Sequence, residues 1–354
     1  MKVLMLSTDK KILDSTSAVS LRMQKYAASF GELTVIVFAR GEKSGLREQR
    51  GQLSVYCAGG NYLSSYYRGF KASLWFKGDI VTSQDAFELG LMGLYVAFRL
   101  RLPLQVQVHT DISHEYRKAG LRHRLQVRIA KYVLPRADCV RVVSERSVLS
   151  MQALGIRFKK LPVVLPVYVE VEKFLQSPRS DVLQMHFPQF SHIALWVGRF
   201  EHEKNPEAAV HAFVEVVRME QSAGLVFLGE GSRRASLERL ARSLGVAESV
   251  KFLPFDDPTL YYKSADLLVV TSRYEGFGMA IVEAIASGLR VVSYDVGVAK
   301  EAGGVVVPPA LLPQAIVESF KNPQKSQLPE RFKIPEEKYL LAYTDALRTC
   351  AKVA

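Results

Sequence analysis

The chain has no apolar run near the ~18 residues that a membrane-crossing helix needs, so no transmembrane span is expected. It has few cysteines. Cys57, Cys139 and Cys350 stand far apart without metal-ligand spacing and read as buried or inert thiols in a reducing cytoplasm. The seven histidines show no zinc pattern, and no Asp-x-Asp stands out as a metal holder. The start, Met1–Ser7, is too short for a signal peptide and reads as a strand. There is no low-complexity tract and no clear internal repeat. Acidic residues are scarce in the first half only. Residues 1–176 hold 27 Lys/Arg against 14 Asp/Glu, while 177–354 hold 20 against 21. The formal charge of +12 therefore resides in the first half, which suits an anionic partner such as a membrane surface, a phosphorylated lipid or nucleic acid.

A length of 354 residues and a hydrophobic share of 48% set an expectation of two domains with a large core. Short apolar strands alternate with helical patterns in both halves, which argues for doubly wound α/β domains. In the first half the strands fall at Lys2–Ser7, Leu33–Phe38, Leu53–Cys57, 79–82, Gln105–His109 and near 137–144. A helix is expected over Ala18–Phe30 with Val19, Met23, Tyr26, Ala27 and Phe30 inward, and Gly41–Gln52 reads as a charged loop. Prolines at 162, 166, 178 and 188 place the boundary between the halves. In the second half, strands at His192–Val197, Leu225–Leu228, Val250–Leu253, Leu267–Thr271, Arg290–Tyr294 and Gly304–Val307 lead into helices, and a last helix covers Glu336–Lys352.

The stretch from Arg273 to Gly288 carries the strongest chemistry. Gly276 and Gly278 break the strand before it and allow close backbone approach. Met279–Ala286 is apolar on every face but that of Glu283, so the helix is buried and its carboxylate needs a donor. Glu275 stands before the helix, Glu283 leans back toward it, and the free N–H groups of the helix start favour an anion. The pattern suits a pocket for hydroxyls and phosphate. A dipole-complementing Glu275 and a Glu283 paired with a buried cation form the plainer reading. Arg199 and Lys204 bracket a loop at a strand's carboxyl end, where two cations suit a diphosphate; a solvated loop is the alternative. Gly229-Glu230-Gly231 lacks the third glycine of a dinucleotide fingerprint and reads as a tight turn. His109 ends a strand of the first half, where ligands gather in open α/β sheets, with Asp111 and His114 close in sequence. Glu115–Arg136 interleaves Arg117, Lys118, Arg122, Arg124, Arg128, Lys131 and Arg136 with Leu121, Leu125, Ile129, Tyr132 and Val133. This is either a membrane-lying amphipathic helix or a solvated face over the core; no nucleic-acid-binding signature accompanies it.

Val197-Gly198-Arg199-Phe200 with Lys204, Phe227–Gly231, Ala265–Ser272, and Glu275-Gly276-Phe277-Gly278 with Glu283 together resemble the retaining glycosyltransferases of sequence family 4, whose Glu-x7-Glu motif the last pair matches. Ala137-Asp138, Val143–Glu145 and the strand ending at His109 are looser matches. The resemblance covers nearly the whole chain. It implies a GT-B fold of two Rossmann-like, doubly wound parallel-sheet domains facing a cleft. An acceptor-side domain would span 1–175, with helix 336–354 packing back on it, and a donor-binding domain would span 176–335. It further implies Arg199 and Lys204 on the diphosphate, Glu283 on the ribose hydroxyls, and Glu275 and His109 at the transferred sugar. Gly278 and Met279 would reach the phosphates by backbone, Phe255 would lie near the base, and Phe277, Gly198 and Gly229 would line the donor site. The implied activity is hexosyl transfer from a UDP- or GDP-sugar to a glycan or lipid-linked acceptor in envelope or exopolysaccharide synthesis. No metal or other cofactor would be required, nucleic acid would not be a partner, and the location would be cytoplasmic, at the inner face of a membrane. A non-catalytic nucleotide-sugar binder and an epimerase or hydrolase remain the alternatives. Two departures touch the acceptor side. The loop Thr8–Ser17 has no glycine where the family has a Gly-Gly pair, and Pro166–Glu170 replaces a Pro-Asn-Gly-Val-Asp segment.

Overall fold

The structure is a computed structural model that describes residues 1–45 and 47–352, the side chain at 47 excepted. Residues 46, 353 and 354, which belong to the expected charged loop and terminal segment, lie outside the described residues. The chain forms two compact units. The first takes Met1–Pro166 and the segment from Glu336 onward, and the second takes Val167–Pro335.

In the first unit the strands are β1 (Lys2–Ser7), β2 (Glu32–Arg40), β3 (Arg47–Arg50), β4 (Leu53–Gly60), β5 (Ile80–Ser83), β6 (Leu104–Val108), β7 (Cys139–Val142) and β8 (Val163–Val164). Its helices are α1 (Ala18–Phe30), α2 (Tyr62–Ser73), α3 (Glu88–Leu100), α4 (His114–Lys118), α5 (Leu121–Val133) and α6 (Glu145–Ala153), with α14 (Glu336–Ala351) closing the unit. The sheet order is β3-β4-β2-β1-β5-β6-β7-β8, parallel throughout except for β3 against β4. Strands β1 and β4 to β7 each lead into a helix, while β2 runs on through β3 to β4. The crossovers put α2, α3 and α5 on one face and α1 on the other, where α14 joins it.

Four details differ from the sequence reading. Part of the charged loop 41–52 is the antiparallel edge strand β3, whose cationic residues suit a sheet edge. Tyr62–Ser73 is a helix that the apolar pattern did not disclose. Residues 115–136 form two helices rather than one, parted at Gly120 with its φ of 151°. On α1 it is Ser20, not Val19, that is buried, because the Ser20 hydroxyl accepts from Arg50 Nη1 at 2.7 Å.

The cysteine expectation needs correction. Cys139 on β7 and Cys350 on α14 are paired as a disulfide with a Cα–Cα distance of 5.9 Å, while Cys57 is a buried free thiol. Sheet pairing and helix docking bring together residues that are 211 apart in sequence. Beside the bond lies Arg141, fully buried among neutral groups. It donates to Gln107 Oε1 (2.8 Å), Tyr339 Oη (2.9 Å) and the Leu165 carbonyl (3.2 Å), with its guanidinium over the Tyr343 ring at 4.5 Å. These contacts, with Lys25–Glu336 at 2.7 Å and Ser29–Thr344 at 2.7 Å, fix α14 on the first unit.

The second unit holds α7 (Val171–Gln176), α8 (Val182–His186), β9 (His192–Val197), α9 (Pro206–Met219), β10 (Ala223–Leu228), α10 (Arg234–Ser243), β11 (Val250–Leu253), α11 (Thr259–Tyr262), β12 (Leu267–Val270), α12 (Met279–Ala286), β13 (Arg290–Ser293), β14 (Val305–Val306) and α13 (Leu312–Lys321). Its sheet, β11-β10-β9-β12-β13-β14, is parallel throughout. β10 is wholly buried, and from one of its faces Leu225 and Phe227 pack with Phe200, Phe213 and Ile316 into one core. The strand order reverses direction between β9 and β12, and in such sheets the crevice outside the carboxyl ends at that point takes the ligand.

Candidate active site

The loops that leave β9 and β12 meet at that switch point. After β9 the chain makes a one-turn 3-10 helix, His202–Lys204, and then a corner at Asn205 in the left-handed conformation (φ 50°). Pro206 opens α9 directly behind it, a position where a missing N–H costs nothing. The corner is stitched to the β12 loop. Trp196 Nε1 donates to the Thr271 hydroxyl (3.1 Å), which donates to the Asn205 carbonyl (2.9 Å); Arg273 N donates to the Glu203 carbonyl (2.8 Å).

This arrangement aims Lys204 at Glu275. Nζ lies 2.6 Å from Oε1, and both side chains are largely buried, with 23% and 13% of their surface exposed. The Ser272 hydroxyl donates to the same carboxylate oxygen at 2.7 Å. An ammonium has three N–H groups, so Lys204 keeps two for further acceptors. Arg199 is different. Its side chain is 73% exposed and its ion pair with Glu203, at 2.8 Å, is a surface pair of small worth. Four of its five N–H groups remain for a ligand.

Glu283 sits in the second turn of α12, and Tyr262 at the end of α11 donates to its Oε2 at 3.1 Å. Tyr262 is fully buried, and burial first and the Glu283 charge second push its pKa well up, so the phenol keeps the proton that it donates. Burial also raises the Glu283 pKa, against the hydrogen bond from Tyr262 and the cations Lys173 and Lys204. The buried carboxylate of the plainer sequence reading thus meets a tyrosine rather than an arginine or lysine. Lys173 is oriented by Asp257 at 2.6 Å. Gly278, at φ 88°, caps α12 without a side-chain hydrogen bond; its carbonyl accepts Ile281 N at 3.0 Å, and the N–H groups of Met279 and Ala280 are left to favour an anion.

Met279 is exposed at the helix start. The Phe277 ring is buried against Phe332, so only its backbone can meet a ligand, and its carbonyl already accepts Val298 N at 2.9 Å. Phe255 is exposed beyond β11, while Phe252 stacks on Phe227 inside the unit, at 5.0 Å between rings. Gly198, at φ 155°, and Gly229 serve the turn packing: a Cβ on Gly229 would collide with the Gly198 carbonyl, and Phe200 N donates to the Glu230 carbonyl at 2.8 Å. Gly229-Glu230-Gly231 is therefore the tight turn that its two glycines suggest. Sequence reasoning missed Tyr262, Ser272, Thr271, Asn205 and Gly297. A Cβ on Gly297 would run into the Phe277 carbonyl and approach Glu275 Cβ.

In the first unit, His109 ends β6 with an exposed side chain. Crowding by surrounding protein, then the cations Arg141 and Arg22, shift its pKa downward; solvent access limits the extent, and the neutral imidazole is the form at pH 7. The glycine-free loop after β1 is a capped 3-10 turn, Lys10–Leu13. Its Ile12 is buried, and Arg50 donates to the Ile12 and Leu13 carbonyls, both at 2.9 Å. Asp111 pairs with Arg146 and is buried; His114 is exposed on α4. Among the described residues no group of three or more His, Cys, Asp or Glu could hold a metal ion.

Solved structures with the same fold include sucrose-phosphate synthase from Thermosynechococcus elongatus, with a TM-score of 0.77 and 19% identity over 100% of both chains. They also include Anabaena HepE in complex with UDP-glucose, with a TM-score of 0.69 and 18% identity over 99% of this chain and 95% of that one. The fold class is therefore GT-B. Residues 18–167 match the glycosyl transferase 4-like domain and residues 185–332 match the glycosyl transferases group 1 family. With these two matches in sequence order, the chain belongs to glycosyltransferase family 4. The alpha-monoglucosyldiacylglycerol synthase of Streptococcus pneumoniae is 29% identical over 250 residues, 64% of this chain and 55% of that protein. The 2-deoxystreptamine glucosyltransferase of Streptomyces kanamyceticus is 28% identical over 233 residues, 62% of this chain and 60% of that protein. The matches thus span less than two thirds of these relatives' own length.

Proposed function

We propose that the chain is a retaining hexosyltransferase that uses a UDP- or GDP-sugar and transfers the sugar to a hydroxyl of a glycan or lipid-linked acceptor. The observation that carries this reading is the convergence on one switch point of Lys204, Glu275, Glu283 and the open start of α12. Negative charge grows on the diphosphate as the glycosidic bond breaks. Lys204, Arg199 and the α12 N–H groups are positive potential fixed where that charge develops, which is the form of catalysis that needs no reorganisation during the step. Glu283, held by Tyr262, takes the ribose hydroxyls, and Glu275 takes the donor sugar. No side chain stands out as a covalent nucleophile, so the acceptor hydroxyl attacks from the face that the diphosphate leaves. A donor phosphate oxygen receives the hydroxyl proton. The bond from the anomeric carbon to the phosphate oxygen breaks and the bond to the acceptor oxygen forms, with configuration retained.

UDP is favoured as the nucleotide by the UDP-glucose bound to the structural neighbour HepE, and a lipid acceptor by the name of the alpha-monoglucosyldiacylglycerol synthase that the chain resembles. For a lipid acceptor the enzyme would act at a membrane surface, and the cytoplasmic face is the one proposed. Among the described residues no helix is long and apolar enough to cross one. The first unit supplies the acceptor side, and His109→Ala is expected to lower turnover while leaving donor affinity unchanged.

The test is product analysis by NMR after incubation with UDP- and GDP-sugars and a panel of glycan and lipid acceptors. Nucleoside diphosphate release with an α-glycoside formed from an α-linked donor supports the reading. Free sugar alone, or an altered nucleotide-sugar, would overturn it in favour of a hydrolase or epimerase.

A further inference from the structure

The face of the first unit made by α2, α3 and α5 carries more large apolar side chains outward than a helix layer that ends in water needs. An amphipathic helix that only covers a sheet turns its apolar side inward. Here α5 turns Gln126, Val127, Ala130 and Val133 inward, while Leu121 (81% exposed), Leu125 and Tyr132 stand out from the protein with the cations. The neighbouring α3 turns Leu89, Gly90, Gly93, Val96 and Ala97 inward and also presents Leu91, Tyr95 and Phe98 outward at helical spacing, Phe98 with 78% of its surface exposed. On α2, Leu63 and Tyr67 project in the same way, and Trp75 just beyond it is 86% exposed. Three packed helices thus share one outward apolar layer.

Charge accompanies it. Between α4 and α5 runs an open groove of about 680 Å³ lined by His114, Arg117, Lys118, Arg124, Arg128 and Lys131, with Val127 at its base. Of these cations Lys118 is paired, with Glu115 at 2.8 Å. The side chains of Arg117, Arg124, Arg128 and Lys131 make no hydrogen bond or ion pair among the described residues. Helix α5 contains no Asp or Glu at all. Four unneutralised cations around one groove lack an anion, and the six outward apolar groups of α3 and α5 lack an apolar phase.

We propose that this face is a docking surface for an anionic lipid bilayer, with lipid phosphates seated in the α4–α5 groove and the α3 and α5 side chains entering the acyl boundary. It deepens the lipid-acceptor reading above and rests on it for its biological purpose. The donor site takes no part in the docking surface. Aromatic and basic side chains meet at the level of the headgroups because each is half satisfied by water and half by lipid. A nucleic acid would match the cations but would leave Leu91, Phe98, Leu121 and Leu125 in water.

The experiment is co-sedimentation of the full chain with phosphatidylcholine vesicles, with and without phosphatidylglycerol. Binding is expected only with the anionic lipid. Arg124→Gln with Arg128→Gln should weaken it about 30-fold, since each surface cation near an anionic leaflet contributes on the order of fivefold to tenfold. Leu91→Ser with Phe98→Ser, both exposed and so harmless to folding, should abolish the part of binding that survives ~1 M salt, where charge is screened. Equal binding to both vesicles, no binding to either, or full binding by both double variants overturns the proposal. So does salt-dependent retention of RNA, lost in the Arg124/Arg128 variant, without vesicle binding. Thermal stabilisation by the nucleotide-sugar is measured on the same samples. If it persists while vesicle binding fails, docking is wrong and the donor site stands; if it fails while vesicle binding holds, docking survives without the transferase reading.

Discussion

Lys204 and Arg199 carry the same charge at the two ends of one loop, yet burial separates what each does for the protein. Removing Lys204 leaves the largely buried Glu275 carboxylate with the Ser272 hydroxyl alone, so Lys204→Ala is expected to cost about 2 kcal/mol of stability. Arg199→Ala breaks an exposed pair and should cost less than about 0.5 kcal/mol. Both should lower kcat about 10²-fold, the scale for one lost charge-stabilising group. Thermal unfolding beside turnover checks both; equal melting temperatures, or unchanged turnover in both, would contradict the assignment. Asp85 gives a pH signature. Its carboxylate accepts from Phe87 N (2.7 Å) and Leu89 N (3.2 Å), and burial pushes its pKa up to about 6 from 3.8. Between these values the folded state binds the extra proton, so the stability that this group contributes is present at low pH and lost as pH rises through 6. Asp85→Asn keeps an acceptor oxygen and should gain about 2 kcal/mol at pH 7, shrinking toward pH 4. A gain that is constant across that range would count against it. At this scale Glu275 and Glu283 stood out as candidates because one contiguous stretch carries them. Tyr262 was not, because its contact with Glu283 spans 21 residues and nothing in a Tyr-Tyr pair announces which ring donates.

The elements differ in how far local chemistry decides them. Helix α12 is fixed by its own sequence: glycine at the left-handed start, an apolar run, and a serine-glycine exit. Its setting is fixed from elsewhere, by Gly297 at φ 50°, which lets the loop after β13 lie against the Phe277 carbonyl. Gly297→Ala adds a strained conformation and a collision costing about 1–3 kcal/mol, and should displace Glu275 enough to weaken donor binding about tenfold. Calorimetry with the nucleotide-sugar checks this, and wild-type affinity in the variant would remove Gly297 from the account. Helix α2 escaped the pattern reading because its inward positions include Ser65, Gly69 and Ser73, small residues without hydrophobic signal. Strand β3 escaped because Arg47–Arg50 is polar on both faces and is ordered by pairing with β4. For α5 the helical period was plain and its orientation was not: apolar side chains at helical spacing are expected to point inward, and here Leu121 and Leu125 do not.

For the whole molecule, alternation of strands and helices made the two α/β units readable, because βαβ order is a local signal repeated along the chain. The Cys139–Cys350 bond was not readable, since only tertiary structure brings β7 to α14. That bond encloses the entire second unit in one covalent loop, and closing so long a loop is expected to stabilise the folded chain by about 2–5 kcal/mol. Alkylation after denaturation without reductant should label Cys57 alone, and reductant should lower the melting temperature by several degrees. Three labelled thiols with an unmoved melting temperature would refute the bond. The central claim is that the switch point of the second unit holds a nucleotide-sugar through Lys204 and Glu283. Thermal shift across UDP- and GDP-sugars tests it most directly, since a ligand at about 100 times its Kd adds about 2.7 kcal/mol to the native state. The account predicts a marked rise with one nucleotide class, lost in both Lys204→Ala and Glu283→Ala. No rise with any nucleotide-sugar, or the same rise in both variants, would contradict it.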